Sequence, residues 1–259
     1  MGALVIVATP IGNLSDISAR ALDALRSADL IACEDTRQTL KLLNHFGIQK
    51  TLVSYHDFNE ERKAAELGAK IREGMTVALV SDAGTPGISD PGYRLVRYCR
   101  EQGLNVVGIP GANAAVTALS ASGLPSDEFF FAGFLPSKKG ARREKIESLG
   151  SVTATLIFYE APHRIEETLG DLLEILGDRE ACIGRELTKI HEEFLFGKLS
   201  EIQSNVKARG EFVIVIGGNA AEDQPLTKAP LTREQALKTL GISRNELYDL
   251  FFKKDDLRR

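Results

Sequence analysis

Charged and small polar residues gather where apolar runs end. Leu4–Ala8 runs into Thr9-Pro10-Ile11-Gly12-Asn13, and Leu30–Cys33 into Glu34-Asp35-Thr36-Arg37. Leu52–Tyr55 meets His56, and Asn105–Ile109 meets Pro110-Gly111-Ala112-Asn113. Thr76–Val80 opens a longer loop, Ser81-Asp-Ala-Gly-Thr-Pro-Gly-Ile-Ser-Asp-Pro-Gly92. Its glycines let backbone approach a ligand closely and its prolines fix its shape, so it reads as a rigid cradle. It carries neither the phosphate-binding Gly-x-x-x-x-Gly-Lys pattern nor the dinucleotide Gly-x-Gly-x-x-Gly pattern. With no lysine or arginine inside it, a neutral or zwitterionic ligand suits it better than a triphosphate. A second charged set, Arg185-Glu186 and Lys189–Glu193, follows the apolar segment Ala181–Gly184. It faces the same cleft if that strand runs parallel to its neighbour.

The elements that would carry these groups alternate strand and helix through the first half. Repeated strand–helix units imply a mainly parallel sheet with helices on both faces, and ligands bind such sheets at the carboxyl ends of the strands. Asn13, Ser15 and Asp16 offer caps for a first helix, and Asn59 for a charged helix ending near Gly74. The pattern changes after Gly123-Leu124-Pro125-Ser126. Strand-like segments at 129–134, 154–159, 181–184 and 212–216 with helices at 141–149 and 163–176 predict a second α/β domain with a mixed sheet. The expected organisation is an N-terminal α/β domain over residues 1–123, a C-terminal α/β domain over 124–218, and a linker with a small helical tail over 219–259. Within that tail, 232–254 reads equally as a helix-turn-helix or as a helical hairpin packed on the body.

Composition narrows the class. The chain has 259 residues and a formal net charge of -4, which argues against a surface coated in positive field. No apolar run approaches the roughly 20 residues of a membrane helix, and no basic region precedes the first run, so neither a membrane span nor a signal peptide is expected. Cys33, Cys99 and Cys182 are dispersed, as are the four histidines, so no metal site is expected and the thiols fit a reducing cytoplasm. The densest basic stretch is Ser137–Lys145, in which Lys139, Arg142 and Arg143 share a face at helical spacing. Arg94, Arg97 and Arg100 form a second stripe.

Four segments together, Thr9-Pro-Ile-Gly-Asn-Leu14, Glu34-Asp-Thr-Arg37, Ser81–Gly92 and Phe158-Tyr-Glu-Ala-Pro-His-Arg164, resemble the 2′-O-methyltransferases of small-subunit (16S) ribosomal RNA. That family acts on a decoding-centre cytidine and belongs to the tetrapyrrole (precorrin and uroporphyrinogen) methylase superfamily. The resemblance spans about residues 4–218. Porphyrin methylases usually carry Gly-Asp-Pro where this chain has Gly84-Thr85-Pro86.

The resemblance implies two α/β domains with S-adenosylmethionine in the cleft between them, and a homodimer. It places cofactor contacts at Pro10, at Thr85 and Ile88 in the long loop, at Asn113 and Ala114, and at Tyr159, Leu187 and Phe212; Asp82 and Gly84 of the cradle are expected beside them. The implied reaction is attack of a ribose 2′-oxygen on the sulfonium methyl, aided by a general base drawn from Glu34, Asp35, Glu186 and Lys189. The second-domain pair is favoured for the proton and the first-domain pair for positioning. Candidate RNA contacts are Arg37, His56, Lys139, Arg142, Arg143, His163, Arg164 and Arg185. The bland alternatives are a surface ion cluster for Arg37, an ordinary polar surface residue for His56, capping and a salt bridge for His163 and Arg164, and a solvated helix start for Lys139, Arg142 and Arg143. The rival functions are a methylase of a tetrapyrrole or other small molecule, and a non-catalytic RNA-binding assembly factor.

Overall fold

The apolar runs of the first half become one parallel sheet. The computed structural model describes residues 2–57 and 59–219. In it β1 (Ala3–Val7), β2 (Leu30–Cys33), β3 (Leu52–Ser54), β4 (Thr76–Val80) and β5 (Asn105–Ile109) lie in the order β3-β2-β4-β1-β5. Every neighbouring pair is parallel. Helices cover both faces, which is why all of β2 is buried. On one face α1 (Ala19–Ser27) and α2 (Thr36–His45) set Ala21, Leu25 and Leu43 against Val7, Ile31 and Val80. On the other, α3 (Glu60–Arg72) and α4 (Tyr93–Glu101) set Leu67, Ile71 and Leu95 against Leu4, Val77 and Leu79. Burying each such Leu or Ile contributes about 2 kcal/mol.

The caps differ in part from expectation. Asn13 caps a short 3-10 turn, and the first α-helix starts only at Ala19, where Ser18 Oγ accepts the Ala21 N–H at 3.1 Å. Asp35 caps α2 by accepting the Arg37 N–H at 2.8 Å. Asn59 precedes α3 without capping it. Its Oδ1 accepts the His56 N–H at 3.0 Å and its Nδ2 donates to the Ser54 carbonyl at 3.3 Å, so it closes the loop after β3 instead.

The second sheet comprises β6 (Phe129–Phe134), β7 (Thr155–Glu160), β8 (Glu180–Arg185), β9 (Glu193–Lys198) and β10 (Phe212–Ile216), ordered β6-β7-β10-β8-β9. It is mixed: β6 and β7 are parallel and the remaining pairs antiparallel. The sequence reading stopped short of β9 and of α8 (Leu199–Asn205). β9 is an edge strand with no fully buried residue, and its apolar run is only Phe194-Leu195-Phe196, set directly after the charged segment Lys189–Glu193. One face of the sheet is covered by α6 (Lys139–Glu147), α7 (Ile165–Leu176) and α8, which pack Ile146, Leu169, Leu172 and Ile202 against Leu156, Phe158 and Ile214.

The other face is covered by α5 (Ala114–Ala121), through Ala115, Ala118 and Leu119 against Ile157, Val213 and Val215. A boundary at residue 123 puts this helix with the first sheet. Its small side chains are apolar nearly all round, so no stripe shows which sheet it will meet. The chain thus passes between the sheets at 110–113. Both sheets belong to one compact unit that ends at Asn219. Beyond Asn219, the expected linker and helical tail lie outside the described residues.

Candidate active site

The wall built by the first sheet is a cross-tied set of loops. Thr9 and Gly84 exchange backbone hydrogen bonds at 2.8 and 3.0 Å, joining the loops after β1 and β4. The Thr9 hydroxyl donates to the Ser81 carbonyl at 3.1 Å, and the Thr85 hydroxyl to the Ala112 carbonyl at 3.0 Å. At the far end of the long loop, the buried Glu60 accepts the Gly92 N–H at 2.8 Å. Gly84 has φ 82° and Ser89 has φ 60°. The first conformation suits glycine; the second is strained for serine and marks a functional loop.

The opposite wall comes from the second sheet. β6, β7 and β8 all point one way, because β10 is antiparallel to both β7 and β8. Glu160, Phe212 and Arg185 therefore lie side by side in register, and the segment after β8 opens onto the same edge as the segment after β7. The Tyr159 hydroxyl accepts the Ala115 N–H at 3.1 Å, fixing the start of α5 to this sheet. The β8–β9 turn then reaches across to the first wall. A Cβ on Gly12 would lie 2.5 Å from Lys189 Cγ and 3.0 Å from the Leu187 carbonyl, so only glycine permits this approach. Glu186 (φ 51°) and Thr188 (φ 66°) hold the turn in the left-handed region.

Between the walls lies a cleft of about 340 Å³, within the usual range for small-molecule sites. Gly84, Thr85, Ile88, Asn113, Ala114, Tyr159, Leu187 and Phe212 all line it. Two other expected cofactor contacts do not. Pro10 is buried behind the wall. Asp82 points outward, its Oδ1 accepting the Asp35 N–H at 3.1 Å. An adenosyl group carrying a sulfonium fits the residues present. Ile11, Ile88, Leu187, Phe212 and Val213 supply apolar surface, the Gly84 backbone leaves room, and Asp90, Glu160 and Glu211 supply negative charge.

A family model described as tetrapyrrole (corrin/porphyrin) methylases matches residues 3–203. Relatives named ribosomal RNA small subunit methyltransferase I are 54% identical over 86% of this chain and 78% of the relative in Halalkalibacterium halodurans. In Escherichia coli O157:H7 the figures are 48%, 95% and 86%. The chain belongs to the tetrapyrrole methylase family. Within it, the chain groups with the small-subunit ribosomal RNA methyltransferases. Its fold is also that of a uroporphyrin-III C-methyltransferase from Thermus thermophilus, 21% identical with a TM-score of 0.59 over 94% of this chain and all of that one. A structure of the Thermus enzyme in complex with S-adenosylhomocysteine matches at 20% and 0.57, covering 84% of this chain and 97% of the other.

In this tetrapyrrole methylase the charged residues divide sharply by role. Lys189 lines the cleft, but its ammonium sits 2.9 Å from both Glu186 Oε1 and Glu211 Oε2. Burial works against that charge, yet Glu211 and Glu186 overcome it and raise the lysine's pKa. Glu186 also accepts the Glu211 N–H, and this bond together with Lys189 lowers its pKa. Both shifts favour the charged forms, so Glu186 and Lys189 form a fixed ion-pair cluster with Glu211. Asp35 is held as a carboxylate by Arg37. Its hydrogen bonds from the Arg37 side chain and backbone pull its pKa down to about 2. Glu34 and Asp35 are not in the cleft lining, though Glu34 lies close enough to the lining Asp90 to raise its pKa.

The expected basic face is corrected as well. Arg142 is 1% exposed, donating to Asp171 Oδ2 at 2.7 Å and Glu167 Oε2 at 3.2 Å. Arg143 bridges Asp171 and Glu174. The helix turns both guanidiniums onto α7, leaving Lys139 exposed. Arg164 is folded against Glu160 and the Leu135 carbonyl, and Arg185 against Glu193. His163 and Arg37 are exposed, and His56 is half-buried beside Asn59. Arg94 and Arg97 of the second stripe pair with Glu60 and Glu101.

Three lining acids escaped the sequence reading: Asp90, Glu160 and Glu211. The quoted motifs contain the first two, but an Asp before Pro-Gly reads as a turn residue. Glu211 carried no signal beyond preceding a strand. Among the described residues no cluster of three or more His, Cys, Asp or Glu side chains is arranged to hold a metal ion, and no helix is long and apolar enough to cross a membrane.

Proposed function

We infer that the protein transfers a methyl group from S-adenosylmethionine to the ribose 2′-hydroxyl of a cytidine in the decoding region of small-subunit ribosomal RNA. The observation that carries this is the kinship to small-subunit ribosomal RNA methyltransferases across 86% of the chain, joined to a cleft whose lining is complete on both walls. When bound, the cofactor supplies an electrophilic methyl on a sulfonium, whose departure leaves a neutral thioether needing no acid. The protein's share is placement and exclusion of water. Ile11, Ile88, Leu187 and Phe212 form the dry surface, and the Thr9–Gly84 bridge keeps the cradle from widening. The Lys189 ammonium, held by two carboxylates, is a fixed hydrogen-bond donor for a hydroxyl at the mouth, its charge offset by Glu186 and Glu211. Such a substrate places the protein in the cytoplasm.

The test is methyl transfer from labelled cofactor to small ribosomal subunits, free ribosomal RNA and a porphyrinogen. Label is expected in RNA, and 2′-O-methyl mapping in a deletion strain should show one cytidine unmodified. Label in the porphyrinogen alone would favour the small-molecule reading; label in none would favour the non-catalytic one. A homodimer completes the proposal. The edge strand β6 leaves Phe129 and Phe130 exposed, an apolar edge that a second copy would cover. Light scattering should give twice the chain mass for the native protein and less for Phe129→Glu with Phe130→Glu.

A further inference from the structure

We propose that Asp90 takes the proton from the attacking ribose hydroxyl. This rests on the methyl-transfer reading above and adds the group that the reading leaves open. Three carboxylates line the cleft: Asp90, Glu160 and Glu211. Glu160 is fully engaged. Its Oε1 accepts the Ala161 N–H at 2.8 Å, and its Oε2 accepts the Thr168 hydroxyl at 2.7 Å and Arg164 at 3.2 Å. Glu211 is paired with Lys189 and its side chain is 79% exposed. Asp90 alone has no cationic partner among the described residues. Instead it faces acids from three strand ends, Glu34 after β2, Asp57 after β3 and Asp82 after β4, with Tyr159 of β7 on the opposite wall.

The loop holds this carboxyl in place. The strained Ser89 precedes it, the Gly87 N–H donates to the Pro91 carbonyl at 3.2 Å just beyond it, and Glu60 anchors Gly92. Among the described residues only the Ser81 hydroxyl relieves the carboxylate's charge, which is costly for stability and useful for a base. Burial first, then repulsion from Glu34, Asp82 and Asp57, push its pKa up to about 6, against the Ser81 hydroxyl. A base of that strength is ionised at neutral pH and accepts a proton more readily than an ordinary aspartate. In the step, the O–H bond breaks and its proton passes to Asp90. The oxygen's electron pair forms the bond to the methyl carbon, and the electrons of the S–C bond leave with sulfur. The carboxylate's negative charge and the sulfonium's positive charge cancel, leaving a neutral acid and a neutral thioether.

The experiment compares native protein with Asp90→Asn and Asp90→Glu. With calorimetry fixing each variant's cofactor affinity and cofactor held saturating, the single-turnover rate on small subunits should fall roughly 10²–10⁴-fold in Asp90→Asn. Native single-turnover rate should rise through about pH 6 and level off. Asp90→Asn should lack that rise, and Asp90→Glu should recover part of the rate. Two readouts need no turnover. Carboxyl-carbon NMR should show one aspartate titrating near pH 6 that vanishes in Asp90→Asn. A folded pKa above the unfolded value means stability present at low pH is lost as pH rises through that window. Asp90→Asn should therefore melt higher than native protein at pH about 8 and show no such gain at pH about 4. An Asp90→Asn variant with near-native single-turnover rate, or with the native pH rise intact, overturns the assignment. If native protein methylates no RNA, the functional reading falls and this one with it. If native protein does and Asp90→Asn matches it, only Asp90 falls.

Discussion

Arg142 carries a positive charge at helical spacing in the most basic stretch of the chain, yet it is among the most buried side chains. Its guanidinium joins α6 to α7 through Asp171, itself nearly buried. Removing one partner of such a pair leaves the other charged and desolvated, which costs about 3–5 kcal/mol. Arg142→Ala is therefore expected to destabilise the fold by about 3 kcal/mol in denaturant unfolding, with the salt dependence of RNA binding unchanged in the folded fraction. A stable Arg142→Ala protein with weakened RNA binding would restore the basic-face reading. Asp90 is the converse case, a residue that reads as turn filler and proves to be the least neutralised acid in the cleft. Residue type and spacing place a side chain on an element; they do not reveal which neighbours the tertiary fold brings to it.

At the scale of elements, the second sheet sets the substrate rim. Phe134 pairs with Tyr159, and Glu160 lies level with Phe212 and Arg185. The segments after β6, β7 and β8 therefore leave the sheet along one edge. They bring Lys138 and Lys139, His163, and Lys189 to that edge, with Lys138, Lys139 and His163 exposed. A polyanion crossing the cleft mouth would meet these groups rather than Arg142 or Arg143. Lys138→Glu with Lys139→Glu should lower the slope of log affinity against log salt by about 2 and leave cofactor affinity as it is. An unchanged slope would confine RNA contact to the first sheet's loops. The buried strands were legible because strands covered on both faces are continuous apolar runs. β9 was not, because its short run Phe194–Phe196 follows directly on a charged segment and none of it is fully buried. The sheet that α5 joins was not, because a helix apolar nearly all round has no preferred face.

At the scale of the whole molecule, the cleft is assembled from pieces far apart in sequence: Ile11, the long loop, Asn113, Tyr159, Leu187 and Phe212. The resemblance of local motifs identified most of these residues, but only the mutual placement of the sheets shows which of the charged ones reach the cleft. That placement depends on the segment up to Asn219. β10 is the central strand of the second sheet and every one of its residues is buried. Just beyond it, the Gly217 N–H donates to the Glu180 carbonyl at 2.9 Å and the Asn219 N–H to the Val152 carbonyl at 2.7 Å. A cut at Gly218 would remove the second of these bonds, so the natural end of the unit is Asn219. A protein ending at Asn219 contains both sheets and every described residue of their packed faces and of the cleft lining. It is expected to unfold cooperatively within a few degrees of the full chain and to bind S-adenosylmethionine with the same affinity. Calorimetric unfolding and cofactor titration of the two lengths side by side make the comparison. An insoluble short protein, or one that binds cofactor much more weakly, would mean that residues 220–259 contribute to the core, the cleft or the contact between copies.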